Sequence, residues 1–191
     1  MTYAETIAAL NAKRAEIGAI QSDIRKLQAT IEPERVEDQA FEGWDGPVRL
    51  SELFGDKRDL ILIHNMGVGC TSCTMWADGF NGVYDHLASR AAFAIVSPNP
   101  IETQRKVAAE RGWRFPMVRY QGEGFARAMG AWSERYGFDA AISVFRRDGE
   151  TIVRVSQAEL GPFDGFCVVY HLFDLVPGAD PDWEPRYSYA S

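Results

Sequence analysis

The apolar run Leu60-Ile61-Leu62-Ile63 constrains this chain more than any other stretch. It has Asp56, Lys57, Arg58 and Asp59 before it and Gly67 and Gly69 after it. Consecutive branched apolar residues without alternation mark a central strand covered on both faces. Directly after the Gly67-Val68-Gly69 loop stand Cys70-Thr71-Ser72-Cys73. Then Trp76, Phe80, Val83 and Leu87 recur at spacings of four, three and four, which predicts a helix with one buried face.

The segments that follow repeat this alternation. Residues 92–96 read as a second apolar strand ended by Ser97-Pro98-Asn99-Pro100. Residues 101–111 read as a helix with Gly112 as its C-terminal cap. Residues 115–120 predict a short strand and residues 125–136 another helix. Residues 142–145 and 151–155 flank Arg147-Asp148-Gly149 and predict a β-hairpin. Residues 168–175 fit a helix or a strand equally. Upstream, Trp44-Asp45-Gly46-Pro47 is a turn signal that makes residues 34–59 a hairpin. Strands alternating with helices give an α/β fold with parallel pairings, and the terminal hairpin makes the sheet mixed. That is the layout of a thioredoxin-like fold, a mixed central sheet flanked by helices, here with an N-terminal helical extension.

The extension is residues 1–33. Tyr3, Ile7, Leu10, Ile17, Ile20, Ile24, Leu27 and Ile31 recur at spacings of three, four and seven, interrupted at Arg14. They predict one helix over residues 3–31, bounded by Pro33. Its stripe either packs on the chain's own domain or pairs with a second copy as a homodimer. The domain proper is expected over residues 34–178. The tail, residues 179–191, carries Trp183, Tyr187 and Tyr189 and reads as an ordered wrap or an extended arm.

Composition removes several function classes. Lys and Arg total 20 against 27 Asp and Glu, a formal charge of −7, and the basic residues form no patch. No nucleic-acid partner is expected from that balance. The longest apolar runs are strand-sized, so no membrane partner is expected. Glu5, Lys13 and Glu16 interrupt any signal-like stretch, so the expected location is cytoplasmic. No acyl-transfer or nucleotide-binding motif is present, and no cofactor is expected.

Chemistry therefore rests on the cysteine pair. Cys70 is expected at a helix N-terminus, where unpaired backbone N–H groups and the macrodipole favour a thiolate. Cys73 lies one turn further in, less exposed. Such a pair lets one thiolate attack a disulfide and the second resolve the mixed disulfide. Alternatives stay open: two small core residues, or two soft metal ligands helped by His64, His86 or Cys167. His64 itself reads as a satisfied interior histidine, and Cys167, between Phe166 and Val168, as a buried, inert thiol.

Several stretches together resemble a known bacterial family. They are Phe41-Glu42-Gly43, residues 48–54, Gly69 to Cys73, Trp76-Ala77-Asp78-Gly79-Phe80-Asn81-Gly82, residues 112–116, residues 143–149 and residues 173–178. This pattern is similar to the thioredoxin-like family known as domain of unknown function 899, and the likeness covers nearly the whole chain. The resemblance implies a thioredoxin fold related to peroxiredoxins and thiol oxidoreductases, without implying a substrate. Two departures from that wider group stand out. Asp139-Ala140-Ala141-Ile142 holds no proline where thioredoxins carry a cis-proline, and Gly67 stands where peroxiredoxins place a threonine or serine.

The expected function is thiol–disulfide exchange with Cys70 as nucleophile and Cys73 as resolver, on an unidentified thiol or disulfide client. The alternative is a non-catalytic binding module for a soft metal or a protein partner.

Overall fold

A computed structural model describes residues 1–162, 164–178 and 183–189. The chain divides into two compact units, Met1–Pro33 and Glu34–Ser191. Of the expected C-terminal tail, residues 179–182 and 190–191 lie outside the described residues.

The first unit is one helix, α1 (Tyr3–Gln28). A capping box starts it: Thr2 Oγ1 accepts the Glu5 N–H at 3.2 Å, and the Glu5 carboxylate accepts the Thr2 N–H at 2.7 Å. It stops short of the predicted Ile31. The Thr30 N–H and hydroxyl both bond Leu27 O, which closes the chain into a turn. No residue of α1 is buried, and its apolar stripe from Leu10 to Ile24 is 45–60% exposed.

The second unit begins with β1 (Glu34–Val36), β2 (Ala40–Gly43), β3 (Gly46–Arg49) and a 3-10 turn at Glu52–Phe54. Next come β4 (Asp59–His64), α2 (Thr71–Gly82), α3 (Tyr84–Arg90), β5 (Ala92–Ser97), α4 (Ile101–Arg111) and β6 (Met117–Arg119). Then follow α5 (Gly124–Ala128), β7 (Trp132–Ser133), β8 (Gly137–Phe138), β9 (Ala141–Asp148), β10 (Thr151–Glu159) and α6 (Val168–Phe173). The main sheet has eight strands in the order β1-β10-β9-β4-β5-β6-β2-β3. Strands β4, β5 and β6 are parallel, and the remaining pairings are antiparallel.

The apolar run sits in the middle of this sheet, as its lack of alternation predicts. Its side chains still obey the strand period of two. Leu60 and Leu62 join one core with Phe41, Phe54 and Phe145. Ile61 and Ile63 face the other, with Trp76, Phe80 and Phe93. The α2 helix therefore rests on a packed floor, and the cysteine pair inherits that rigidity. No helix among the described residues is long and apolar enough to cross a membrane.

Three expectations are corrected. The helix predicted over residues 125–136 is only α5. Gly130 adopts φ +70° and the Ala131 N–H bonds Ala126 O, so the chain is capped and turned. Residues 132–138 then form the β7–β8 hairpin, turning at Gly137, φ +73°. Second, the helix carrying Trp76 to Leu87 is two helices, because Val83 leaves helical geometry at φ −115°, ψ 13°. Third, only β2 and β3 make the hairpin expected over residues 34–59. β1 leaves it to pair with β10, where Arg154 ion-pairs with Glu34. The ambiguous residues 168–175 resolve as α6.

Candidate functional site

Cys70 is the N-cap of α2, with extended backbone at φ −102°, ψ 107°. Its sulfur takes the part that a serine or threonine oxygen plays in other caps, accepting the Cys73 N–H at 3.0 Å. Its carbonyl accepts the Thr74 N–H at 3.1 Å and the Thr74 hydroxyl at 3.0 Å.

The loop before Cys70 is fixed from below. Asn65 Oδ1 accepts the Gly67 N–H at 2.7 Å, and Asn99 Oδ1 accepts the Val68 N–H at 2.8 Å. Gly67 adopts φ +113°, and a Cβ there would fall 2.7 Å from Asn99 Oδ1. Only glycine suits both the angle and the space.

The two sulfurs are electrostatically unlike. The hydrogen bond with the Cys73 thiol draws the Cys70 pKa down from 9.0 to about 7, against the opposing effect of burial, and the Cys73 and Ser72 N–H groups add to it. Cys73 is 3% exposed. Its pKa is pushed far up, first by the bond to Cys70, then by burial and by the Cys70 charge. The dithiol thus favours one anion at Cys70 and a proton on Cys73.

His64 and Cys167 are interior, as the sequence predicts. His64 is fully buried; Nδ1 is 2.6 Å from the Tyr120 hydroxyl and Nε2 is 2.8 Å from the Ser143 hydroxyl. Burial holds its pKa at about 3, so the ring is neutral. His86 is exposed on α3, and His171 meets Asp164 O at 2.9 Å. Cys167 is 5% exposed, and burial raises its pKa. Among the described residues no group of three or more His, Cys, Asp or Glu is placed to hold a metal ion.

Two tyrosines near the pair escape sequence reasoning. Tyr170 of α6 hydrogen-bonds Ser72 and feels the charge of Cys70. Tyr187, in the tail, donates its hydroxyl to Val68 O at 2.5 Å, and its backbone carbonyl accepts from Arg111 at 2.5 Å. Arg111 in turn ion-pairs with Asp78 at 2.7 Å. The abundance of aromatics after residue 165 was the available signal, but no spacing rule links them to Cys70. On the other side of Cys70 an open cleft of about 560 Å³ is walled by Met66, Ser72, Ala140, Ala141 and Leu160. Trp76 also borders it, and its buried Nε1 has no hydrogen-bond partner among the described residues.

Comparison with known proteins adds a family and a fold. Residues 8–182 match the model of DUF899, described as a bacterial protein of unknown function. No curated protein matches the chain. Among solved structures, the peroxidoxin BcpB from Mycobacterium tuberculosis is 21% identical, with TM-score 0.58, over 66% of this chain and 84% of that one. A mutant of Xanthomonas campestris peroxiredoxin Q is 17% identical, with TM-score 0.57, over 72% and 90%. A mutant of Xylella fastidiosa PrxQ is 14% identical, with TM-score 0.56, over 74% and 94%. These likenesses establish a thioredoxin-like, peroxiredoxin-type fold.

Proposed function

We propose a function for a chain that belongs to the DUF899 family of bacterial proteins of unknown function: it exchanges thiols for disulfides through Cys70 and Cys73. The observation that carries this reading is the asymmetry of the pair. One sulfur is partly exposed and ionises near neutrality, while the other is buried, protonated and bonded to it.

The steps follow from that asymmetry. The Cys70 thiolate attacks one sulfur of a client disulfide, forms a mixed disulfide and releases the other half as a thiolate. Cys73 then loses its proton, attacks Cys70 Sγ and expels the remaining half as a thiolate. The client gains two electrons, and the protein holds them no longer, as a Cys70–Cys73 disulfide. A dithiol, or two monothiols in succession, must return two electrons to restore the Cys70–Cys73 dithiol and leave as a disulfide.

The order of events is built into the electrostatics. Two of the three causes that raise the Cys73 pKa, the bond to the Cys70 sulfur and its charge, vanish once Cys70 is in a mixed disulfide. The resolver thus becomes easier to ionise only after the attack it must follow.

The three solved structures named above are a peroxidoxin and two proteins of the peroxiredoxin Q type, so peroxide reduction is the nearest rival. Gly67 weighs against it. The position three residues before Cys70 carries no hydroxyl, and the tight contact with Asn99 leaves no room for one. The soft-metal alternative loses His64, whose ring nitrogens are both engaged inside the core.

Equilibration against glutathione buffers tests the function. The expected result is a reversible loss of two hydrogens confined to Cys70 and Cys73, with a midpoint inside the cytosolic range of roughly −220 to −320 mV. A pair that stays reduced throughout rules out exchange.

We also propose that α1 pairs with α1 of a second copy. Tyr3, Leu10, Ile17 and Ile24 recur at seven residues, with Ile20 and Leu27 between later turns, which is a coiled-coil seam. In a parallel pair Glu16 and Asp23 meet Gln21 and Gln28 of the other copy, whereas an antiparallel pair sets Glu16 against Asp23. Sedimentation of the full chain should give twice the monomer mass, and Ile17→Asp with Ile24→Asp should halve it. A monomer at micromolar concentration, or a dimer that survives both substitutions, defeats the pairing.

A further inference from the structure

The cleft beside Cys70 carries charge that the fold leaves uncompensated. Arg135, Asp139 and Glu159 all border it. Nearby arginines are paired: Arg127 with Glu123 and Glu134, and Arg154 with Glu34. Among the described residues, Arg135, Asp139 and Glu159 form no ion pair. The Arg135 guanidinium lies 4.8 Å from the centre of the Tyr136 ring, which holds it at the cleft without neutralising it. Arg135 is carried on the β7–β8 turn, and Asp139 follows β8 directly, with its N–H bonded to Ala131 O. Glu159 ends β10, opposite Ala141 in register. One cation and two carboxylates therefore border the same cleft as Cys70.

Between these charges the wall is mixed: Ser72, Ser133 and Tyr136 bring hydroxyls to it, and the rest of the side-chain surface is largely apolar. Met66, Ala140, Ala141 and Leu160 offer contact to a carbon skeleton but no hydrogen-bonding side chain. A volume of about 560 Å³ is the size of a small-molecule site and open enough for a short peptide. A neutral alkyl disulfide would use the apolar wall alone and leave three charges unmet. A ligand with an ammonium and a carboxylate would use them all.

We propose that this cleft selects disulfides bearing both a carboxylate and an ammonium group near the S–S bond, as amino-acid and short-peptide disulfides do. The carboxylate meets Arg135, and the ammonium meets Asp139 and Glu159. The inference rests on the exchange reading above, because it supplies that reaction's substrate class.

The test follows adduct formation at Cys70 in a Cys73→Ser background by intact mass. It uses four probes: cystine, the dication cystamine, the dianion 3,3′-dithiodipropionate and neutral 2-hydroxyethyl disulfide. Every rate is divided by that of the neutral probe, so a variant that merely loosens the fold leaves the ratios in place. Arg135→Gln should lower the dianion ratio roughly fivefold, the scale of exposed charge pairs. Asp139→Asn with Glu159→Gln should lower the cystamine ratio about as much, and the cystine ratio should fall in both. All three effects should shrink in 1 M salt, where the Debye length is about 3 Å. Ratios that ignore these substitutions overturn the selectivity and leave exchange standing. No Cys70 adduct with any probe, the neutral one included, overturns exchange itself and this inference with it.

Discussion

Cys73→Ser protein incubated with oxidised glutathione gains one adduct, located at Cys70 and removed by a reductant, while Cys70→Ser gains almost none. The difference in initial rate should exceed about a hundredfold at pH 7. In Cys73→Ser the Ser72 and residue-73 N–H groups still favour the Cys70 thiolate, whereas in Cys70→Ser burial alone still raises the Cys73 pKa and keeps its thiol from the probe. The pH profile is part of the expected result. In Cys73→Ser the serine hydroxyl can replace the thiol as donor to Cys70, so the rate should rise through a midpoint between about 7 and the ordinary 9.0. The fold lowers this pKa, so the thiolate is the form it favours, and the advantage is lost as pH falls through the folded value. Intact mass across pH 5 to 9 measures both. Equal adducts at the two positions would reverse or abolish the assigned roles.

Acid should weaken the fold well above the range in which carboxylates titrate. His64 is buried and neutral with a pKa of about 3, against 6.5 when unfolded. Between those values the unfolded chain binds one proton more than the native chain, so stability falls as pH falls. One proton corresponds to about 1.4 kcal/mol per pH unit, or about 3 kcal/mol between pH 6 and pH 4. Asp38 and Asp59 add to the loss only lower down, because hydrogen bonds and charge from Arg49, and from Arg146 and Arg90, hold their pKa values below 3.8. Urea unfolding at half-unit intervals measures the slope. His64→Gln should flatten the curve between pH 6 and pH 4 whatever it does to stability at pH 7. An unchanged slope in that variant would remove the histidine from the account.

Much of this architecture was legible because single residues carried it. The run 60–63 announced a doubly covered strand, and Gly112, at φ +66°, capped its helix where expected. The Cys70 position followed from the order strand, loop, helix. What stayed hidden depended on contacts distant in sequence. Gly130 falls inside the helix predicted over residues 125–136, yet its left-handed conformation ends α5 and leads into the hairpin that carries Arg135. Nothing near Glu34 says that it will meet Arg154, 120 residues on, and draw β1 to the far edge of the sheet. The partners of His64 come from β9 and from the residue after β6, so sequence could say that it was interior but not what satisfied it.

The bond from the Tyr187 hydroxyl to Val68 O has a practical consequence. Tyr187 is fastened to the loop that presents Cys70, and Pro185, two residues before it, is buried. A fluorophore or a surface tether attached at Arg186 or Ser188 is thereby linked to that loop through Tyr187, and it pulls on the loop whenever it is pulled. Immobilisation chemistry for this protein therefore belongs at another position, chosen so that the attachment does not become an unintended participant in the reaction being measured.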